Sequence, residues 1–332
     1  MFIIESYSLA VLFCFITMLC WGSWANTQKL ARSNWRFELF YWDYVIGIVL
    51  LALLLGYTLG SSGDTGRSFS DDLLQANRMN YALAFIGGVI FNLANILIVA
   101  AIAYAGMSVA FPVGIGLALV LGVIVNYIAT QKGDPVLLFS GVILVVVAII
   151  LDAMAYKKLA QKDQKDPKIG LVLALIGGFL MSFFYFFVAQ SMSMDFSNPE
   201  GGKFTPYGAV FIFSLGILMS NFVFNTILMK KPIEGPKLYA SDYFKGRFPL
   251  HLVGILGGII WCIGMSFSII AAEKAGPAIS YGLGQGATMV AAFWGVFIWK
   301  EFKTAPTGTN PLLVGMFILF ILGLGLIVFA GA

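Results

Sequence analysis

Charge is scarce in this sequence, and its scarcity excludes most classes of soluble protein. Charged residues make up only 11% of the 332 positions, hydrophobic residues make up 60%, and the mean hydropathy is +0.91. A soluble domain carries about 25% charged residues. The composition therefore excludes a soluble enzyme and indicates a chain that lies mainly inside a membrane.

Histidine and cysteine are also rare, which removes the residues on which many catalytic and metal sites depend. The chain has one histidine, His251, and three cysteines, Cys14, Cys20 and Cys262, all within apolar segments. Their positions match neither a disulfide framework nor the paired spacing of zinc ligands. An intramembrane hydrolase would need a Ser-His pair, two facing aspartates or a His-rich metal site. We therefore expect no enzyme, no metal and no cofactor, and a structural role for His251.

Ten apolar runs account for most of the chain. Each has about the 20 residues that a helix needs to cross a hydrocarbon core of ~30 Å. They are too long and too continuously apolar for barrel strands. The sequence therefore predicts an all-α integral membrane protein with ten transmembrane helices, at Ser6 to Lys29, Phe37 to Leu59, Tyr81 to Tyr104, Val109 to Ala129, Pro135 to Ala155, Ile169 to Ser193, Gly208 to Met229, Pro249 to Glu273, Pro277 to Trp299 and Pro311 to Ala330.

Basic residues are distributed unevenly between the loops, which we number by the runs that they join. Of the 20 basic residues, loop 1 holds three, loops 5 and 7 hold five each and loop 9 holds two, so the odd loops hold 15. The positive-inside rule then places the odd loops in the cytoplasm and both termini outside it. We expect a multi-pass protein of the cell membrane, plasma or inner, and no nucleic-acid partner.

The most polar stretch, 156–168, divides the chain into two segments of five runs, 1–155 and 169–332. Five is odd, so the second segment enters the membrane in the opposite sense to the first. A shift of 170 positions aligns Gly87 to Gly116 with Gly257 to Gly286 without a gap, with eight identical residues in thirty. The sequence therefore predicts two inverted five-helix repeats joined by a basic cytoplasmic linker, an arrangement that transporters use for alternating access.

Several motifs resemble one family of transporters. They are the stretches 20–24 (CWGSW), 41–44 (YWDY), 92–94 (NLA), 103–109 (AYAGMSV), 126–127 (NY) and 293–302 (FWGVFIWKEF). Together with ten spans in two halves, they resemble the drug/metabolite transporter superfamily and, within it, the ureide permease branch. The related glucose, ribose and rhamnose porters share the Trp-Gly-Ser opening.

The resemblance implies proton-coupled uptake of a small polar solute, with allantoin-like ureides and nucleobases for one branch and sugars for the other. Plant ureide permeases carry a Gly-Lys-Ser/Thr motif in the central loop. Residues 156–168 contain no glycine, so ATP-driven transport is not supported.

Acidic residues inside the runs are candidates for proton coupling, because a charge in hydrocarbon is costly and is retained mainly for function. Asp43, the seventh residue of its run, is the deepest of these acids, and no lysine or arginine lies well inside any run to neutralise it. We predict Asp43 as the proton-coupling residue, with Glu38 as a second candidate. The alternative is an aspartate near the cytoplasmic interface that hydrogen-bonds to Tyr41, to Tyr44 or to a neighbouring helix, or pairs with Lys29.

Neutral polar and aromatic residues near the middle of the runs predict the substrate site. Amide side chains can both donate to and accept from a ureide, a nucleobase edge or a sugar, and an indole can stack on a ring. The alternatives are hydrogen bonds between helices for the amides and interfacial anchoring for the first two tryptophans. The predicted substrate residues are Asn92, Asn95, Trp261, Gln285, Asn221, Asn225, Tyr281, Trp21 and Trp24.

The sequence predicts a secondary active transporter that takes up a small neutral polar solute, ureide or nucleobase-like, by proton symport with alternating access. The lack of an Arg or Lys in mid-membrane argues against a carboxylate substrate. Two alternatives stay open, a sugar:proton symporter and a drug or metabolite exporter. Either a monomer or a homodimer is compatible with the sequence, since ten helices can enclose a pathway.

Overall fold

The computed structural model describes residues 1–31, 35–159, 166–233 and 235–332. Those ranges are helical, without strands apart from one isolated bridge between Met192 and Phe204. The all-α, ten-span prediction is confirmed. The spans, numbered 1 to 10, are Tyr7–Leu30, Phe37–Tyr57, Arg78–Ala105, Met107–Thr130, Pro135–Lys158, Pro167–Gln190, Pro206–Lys230, Phe248–Ala275, Pro277–Ile298 and Thr309–Phe329.

Capping residues and prolines explain where many spans begin. Span 5 starts with Pro135 after Asp134, whose carboxylate accepts from the Leu137 amide. Proline suits the first helical position because that amide has no partner inside the helix. Pro167, Pro206 and Pro277 open spans 6, 7 and 9 in the same way.

Four spans are interrupted. Span 1 consists of Tyr7–Ser23 and Ala25–Leu30, and span 6 of Pro167–Met181 and Phe184–Gln190. Span 4 contains the π-helix Phe111–Ile115 between Met107–Ala110 and Gly116–Thr130. Span 9 consists of Pro277–Gly284, Ala287–Phe293 and the π-helix Trp294–Ile298. Interrupted spans leave backbone groups without helical partners, which is tolerated in a membrane protein where they face protein or a cavity.

The arrangement of the spans is consistent with the predicted inverted repeat. Spans 3 and 8 have 28 residues each, and the shift of 170 positions superposes both of their ends. Each ends at a glycine with positive φ, Gly106 at 76° and Gly276 at 84°, where an L side chain is strained.

The crossings between the halves are reciprocal as well. Span 8 crosses span 2 so closely that a methyl group on Gly258 would lie 1.9 Å from the carbonyl oxygen of Tyr44. Span 3 crosses span 7 in the same manner, since a methyl group on Gly88 would lie 2.0 Å from the carbonyl oxygen of Phe213. Each half therefore packs its second span on the third span of the other half.

Among the described residues, two short helices lie between spans. Phe69–Gln75 is in loop 2 and Ala240–Tyr243 is in loop 7. The predicted linker 156–168 falls partly at the end of span 5 and the start of span 6, and its central part, 160–165, lies outside the described residues.

Candidate functional site

A cavity of about 620 Å³ lies among the spans. Its wall is formed mainly by spans 1, 3, 4, 6, 8 and 9, which include all four interrupted spans. A volume of this size is in the range of small-molecule sites. The cavity is therefore the natural candidate for a solute site inside the bundle.

The cavity leads toward the side of loop 1. Gln28 and Lys29, at the end of span 1, and Phe37, at the start of span 2, lie on its wall. A second cavity of about 470 Å³ shares Gln28 and Phe37 and extends to Arg36. The basic-residue pattern predicts this side to be cytoplasmic.

Aromatic rings form the inner wall of the cavity. Trp21 stacks on Trp261, with ring centroids 5.9 Å apart and an interplanar angle of 13°. Phe91 lies 4.4 Å from Trp261, and Phe184 lies 5.2 Å from Phe91. These four side chains offer flat faces on which a ring can stack.

Asn95 brings an amide to the cavity wall and is held there by Tyr41. The Asn95 amide nitrogen donates to the Tyr41 hydroxyl at 3.1 Å. That hydroxyl donates to the Asn92 side-chain oxygen at 2.9 Å, and the Asn92 amide donates to Ser220 at 2.9 Å. Asn92 is fully buried behind the wall, so the structure places Asn95 in the cavity and Asn92 in the layer that positions it.

The break in span 9 brings further polar groups to the cavity. Gln285 lies between Pro277–Gly284 and Ala287–Phe293, and its side chain lines the cavity beside Thr288. The Thr288 hydroxyl donates to the Gln285 carbonyl oxygen at 3.0 Å. Such interruptions at the level of the binding site are the usual way in which transporters present polar groups to a solute.

Three other predicted substrate residues lie away from the cavity wall. The Tyr281 hydroxyl donates to the Ala118 carbonyl oxygen at 3.0 Å and joins span 9 to span 4. The Asn225 amide donates to the Glu38 carbonyl oxygen at 2.8 Å. Asn221 is buried in span 7. The predicted indoles Trp21, Trp24 and Trp261 all line the cavity.

Asp43 lies outside the cavity, in a cluster that joins spans 2 and 8 to loop 7. Its carboxylate accepts from the Trp35 indole at 3.1 Å and from the Tyr243 hydroxyl at 2.5 Å, and it contacts His251 Nδ1 at 2.9 Å. The carboxylate is buried, and His251 is mostly buried. The Asp43–His251 pair is thus a shielded acid–base pair that can share one proton. Tyr41, Tyr44 and Lys29 are not among these partners, but His251 on span 8 is a contact with a neighbouring helix, which the alternative interpretation also includes.

The other charged groups near the cavity mouth form ion pairs. The Arg36 guanidinium donates two hydrogen bonds to Glu38, one to each carboxylate oxygen. Lys29 pairs with Glu301 at 2.7 Å, and Glu301 also accepts from the Tyr156 hydroxyl at 3.0 Å. The lysine on the cavity wall is therefore balanced by a carboxylate. Within the described ranges no group of three or more His, Cys, Asp or Glu side chains is placed to hold a metal ion.

The opposite end of the bundle is closed by hydrogen bonds between spans. The Tyr185 hydroxyl of span 6 donates to the Ser268 carbonyl oxygen at 3.0 Å, and it lies 3.2 Å from the Ser280 hydroxyl. Ser280 in turn donates to the Ser268 carbonyl oxygen at 2.6 Å. All three residues are fully buried. Span 6 is thereby tied to spans 8 and 9.

Loops 2 and 6 add a second layer to this closed end. The buried Asp72 carboxylate accepts from the Thr205 amide at 2.9 Å, from the Thr205 hydroxyl at 2.9 Å and from Arg67 at 3.0 Å. Burial raises the pKa of Asp72, and the hydrogen bonds from Thr205 and the charge of Arg67 oppose that rise. The loops are held together by a carboxylate with three donors and four hydrogen bonds, because the Thr205 amide contacts both of its oxygens.

Sequence reasoning missed several side chains of the site. Phe91 stands 170 positions before Trp261, so the repeat alignment indicates it as the counterpart of a predicted site residue. Tyr41 is part of the YWDY motif, yet its contact with Asn95 depends on the packing of spans 2 and 3. Tyr243 lies in a loop, and no local pattern connects it with Asp43, 200 positions away.

Comparisons with known proteins give one consistent family. The sequence model described as Ureide permease matches residues 40–169 and 157–330. Ureide permease 1 of Arabidopsis thaliana is 23% identical over 98% of both chains, and Ureide permease 4 of the same plant is 24% identical over 97% of this chain and 96% of its own. Probable ureide permease A3 of Vigna unguiculata is 27% identical over 49% of this chain and 45% of its own.

One solved structure supports the fold. A crystal structure described only as that of a protein superposes with a TM-score of 0.63 over 97% of this chain and 96% of the other, at 15% identity.

Proposed function

Because this chain belongs to the ureide permease family, and is therefore a membrane transporter and not an enzyme, we propose that it takes up a small neutral solute of ureide or nucleobase type by proton symport. The observation that carries this proposal is the cavity, in which stacked aromatic rings face the amides of Asn95 and Gln285. A planar heterocycle with amide-like edges fits both features, since its ring can stack and its edges can pair with the amides.

The charge of the cavity supports a neutral solute. Lys29 is the cation on its wall, and Glu301 neutralises it. An anionic solute would have to compete with Glu301 for Lys29, and a cationic solute would meet no unpaired carboxylate among the lining residues. An uncharged solute avoids both the competition with Glu301 and the need for a counter-charge.

The reciprocal packing of the two halves supports transport by alternating access. The cavity opens between spans 1 and 9 on one wall and spans 3, 4 and 6 on the other. If the two halves exchange their conformations, the equivalent path has spans 6 and 4 on one wall and spans 8, 9 and 1 on the other. Tyr185 closes that second path, because it joins span 6 to Ser268 of span 8 and Ser280 of span 9. The pseudo-twofold arrangement also supports placement in the drug/metabolite transporter superfamily.

Proton coupling is assigned to Asp43 and its contact with His251. The pair joins span 2 to span 8, and the hydroxyl of Tyr243 joins Asp43 to loop 7. A change in its protonation alters the hydrogen bonds that hold these elements, which links proton binding to their movement. Glu38 stays a second candidate, but its carboxylate is already neutralised by Arg36. We assign loops 1, 5, 7 and 9 to the cytoplasm on the basic-residue pattern.

Uptake into proteoliposomes tests the proposal. The panel consists of allantoin, uracil, xanthine, glucose, ribose and rhamnose, each measured with and without an imposed pH gradient, after a thermal-stabilisation screen of the purified protein. We expect allantoin or a nucleobase to stabilise the protein and to accumulate only with the gradient. A gradient of one pH unit allows about tenfold accumulation for one proton per solute.

Other outcomes would replace the proposal with one of its rivals. A sugar that accumulates in place of the heterocycles would identify a sugar:proton symporter. Efflux of lipophilic compounds without uptake of any panel member would identify an exporter. Accumulation that is independent of the pH gradient would contradict proton coupling.

A further inference from the structure

Loop 7 and the start of span 8 expose several aromatic side chains, which is unusual for a surface in contact with water. Tyr239, Phe244 and Phe248 are 67%, 81% and 72% exposed; the first two lie in loop 7, and Phe248 is the first residue of span 8. Loop 2, the corresponding loop of the first half, buries its aromatic residue: Phe69 is fully buried and packs against Tyr57 and Phe211. Tyr239, Phe244 and Phe248 are thus largely uncovered by protein, whereas Tyr243 in the same loop packs against Trp35 and His251.

The same loop is basic. Residues 230–247 contain five basic and two acidic residues. Lys245 is paired with Asp242 at 2.7 Å, and Lys230 and Lys231 are exposed at the end of span 7. Exposed aromatic rings beside basic side chains at the end of a span are typical of a segment that lies in the headgroup layer of a membrane with anionic lipids.

A groove of about 390 Å³ runs from this loop down the side of spans 2 and 7. We define the loop 7 groove by the residues Trp42, Phe222, Thr226, Lys230, Tyr239 and Tyr243. Its floor is apolar, since Trp42 and Phe222 stack edge to face with centroids 5.0 Å apart. Phe222 is eight residues from Lys230, which along a helix is about 12 Å. The groove therefore extends from the basic surface into the hydrocarbon layer.

We propose that the loop 7 groove binds one phospholipid with an anionic headgroup, its acyl chain on Phe222 and Trp42 and its phosphate near Lys230 and Lys231. The charge of the loop selects the anionic headgroup, and the apolar floor selects the chain. An anionic phospholipid carries both parts in one molecule and is abundant beside a membrane protein. The site is separate from the solute cavity and does not depend on the proposed solute.

The lipid site touches the Asp43 cluster through one side chain. Tyr243 lines the groove with its ring and donates its hydroxyl to Asp43. A lipid in the groove therefore fixes the ring that holds the Asp43 hydrogen bond. This connects the composition of the surrounding leaflet with the proton-coupling pair.

The test is native mass spectrometry and thermal unfolding of the full-length protein in detergent, with added phosphatidylglycerol or with phosphatidylcholine of the same acyl chains. We expect one phosphatidylglycerol molecule to be retained and to raise the unfolding temperature, and phosphatidylcholine to do neither. The double variant Lys230→Gln, Lys231→Gln is expected to weaken phosphatidylglycerol binding by about tenfold or more, because each lysine near the surface contributes to the attraction.

The chain offers a matched control in Lys157→Gln, Lys158→Gln, which removes an exposed lysine pair at the end of span 5. Thr226→Trp fills the groove itself and is expected to block the lipid, whereas Ile227→Trp on the exposed face of the same span is not. Equal binding of the two lipids, or equal loss in both lysine pairs, would overturn the proposal. So would lipid binding that survives Thr226→Trp.

Discussion

Asp43 is the residue to which we assign proton coupling, and its surroundings allow a specific prediction. Asparagine keeps the size and most hydrogen bonds of aspartate, but its amide does not take up a proton near neutral pH. Asp43→Asn is therefore expected to abolish accumulation driven by a pH gradient, from about tenfold for a gradient of one unit to none. Solute binding, measured by thermal stabilisation, and exchange of solute at equal pH should remain.

The control for this prediction is Glu38→Gln, five residues earlier in the same span. Its partner Arg36 lies in loop 1, and the variant removes a carboxylate without touching Asp43. Accumulation should persist in Glu38→Gln. Loss of accumulation in Glu38→Gln together with normal accumulation in Asp43→Asn would move the coupling site to Glu38.

At the residue scale, the sequence pattern indicates which side chains have suitable chemistry better than it indicates where those side chains point. Asn92 and Asn95 are one turn apart, so spacing alone does not say which of them faces the cavity. The packing of the spans decides it, because Asn95 lines the cavity and Asn92 is fully buried behind it. His251 was assigned a structural role because it stands at the start of span 8. Its contact with Asp43 depends on the crossing of spans 2 and 8, which no local pattern contains.

At the scale of helices, Tyr185 holds the closed end of the bundle. Its hydroxyl lies 3.0 to 3.2 Å from three oxygen atoms of Ser268 and Ser280. Each buried hydrogen bond contributes about 1 kcal/mol, so Tyr185→Phe should shift the population toward the state that opens on this side by several-fold. The variant keeps the ring and its packing, and the change in population is therefore due to the hydroxyl.

Thiol labelling measures this shift. Ile269, which is fully buried, stands 170 positions after Val99, which lines the cavity. In a background without Cys14, Cys20 and Cys262, a membrane-impermeant maleimide should label Ile269→Cys faster when Tyr185→Phe is present. Val99→Cys should be labelled from the opposite side and more slowly in the same background. Unchanged rates at both positions would show that Tyr185 does not control the opening.

Span boundaries were predictable from sequence within a few residues, because a long apolar run in a membrane chain has little alternative to a helix. The interruptions were only partly predictable. Gly282, Gly284 and Gly286 lie at the break in span 9, and glycine weakens a helix. The break of span 6 at Ser182 and Phe183 has no glycine or proline, and it follows from packing that the local sequence does not encode.

At the scale of the whole molecule, the two halves should respond alike to equivalent changes. Gly88 and Gly258 are related by the shift of 170 positions, and a methyl group on either would approach a backbone carbonyl oxygen of the crossing span to 2.0 or 1.9 Å. Gly88→Ala and Gly258→Ala are both expected to destabilise the protein by about 1–3 kcal/mol or more, because the crossing helices must move apart. Thermal unfolding in detergent measures the two losses.

Gly116 and Gly325 provide matched controls, because a methyl group on either would meet no atom within 4 Å. Alanine there is expected to leave stability unchanged or to raise it slightly, since it restricts the unfolded chain. If the halves form an inverted repeat whose two crossings carry equal weight, Gly88→Ala and Gly258→Ala will lower the unfolding temperature by similar amounts, and both will impair transport in either direction. A large loss in one and none in the other would mean that a single crossing holds the bundle together, and the symmetric account of alternating access would then fail even if the solute and the proton site were correct.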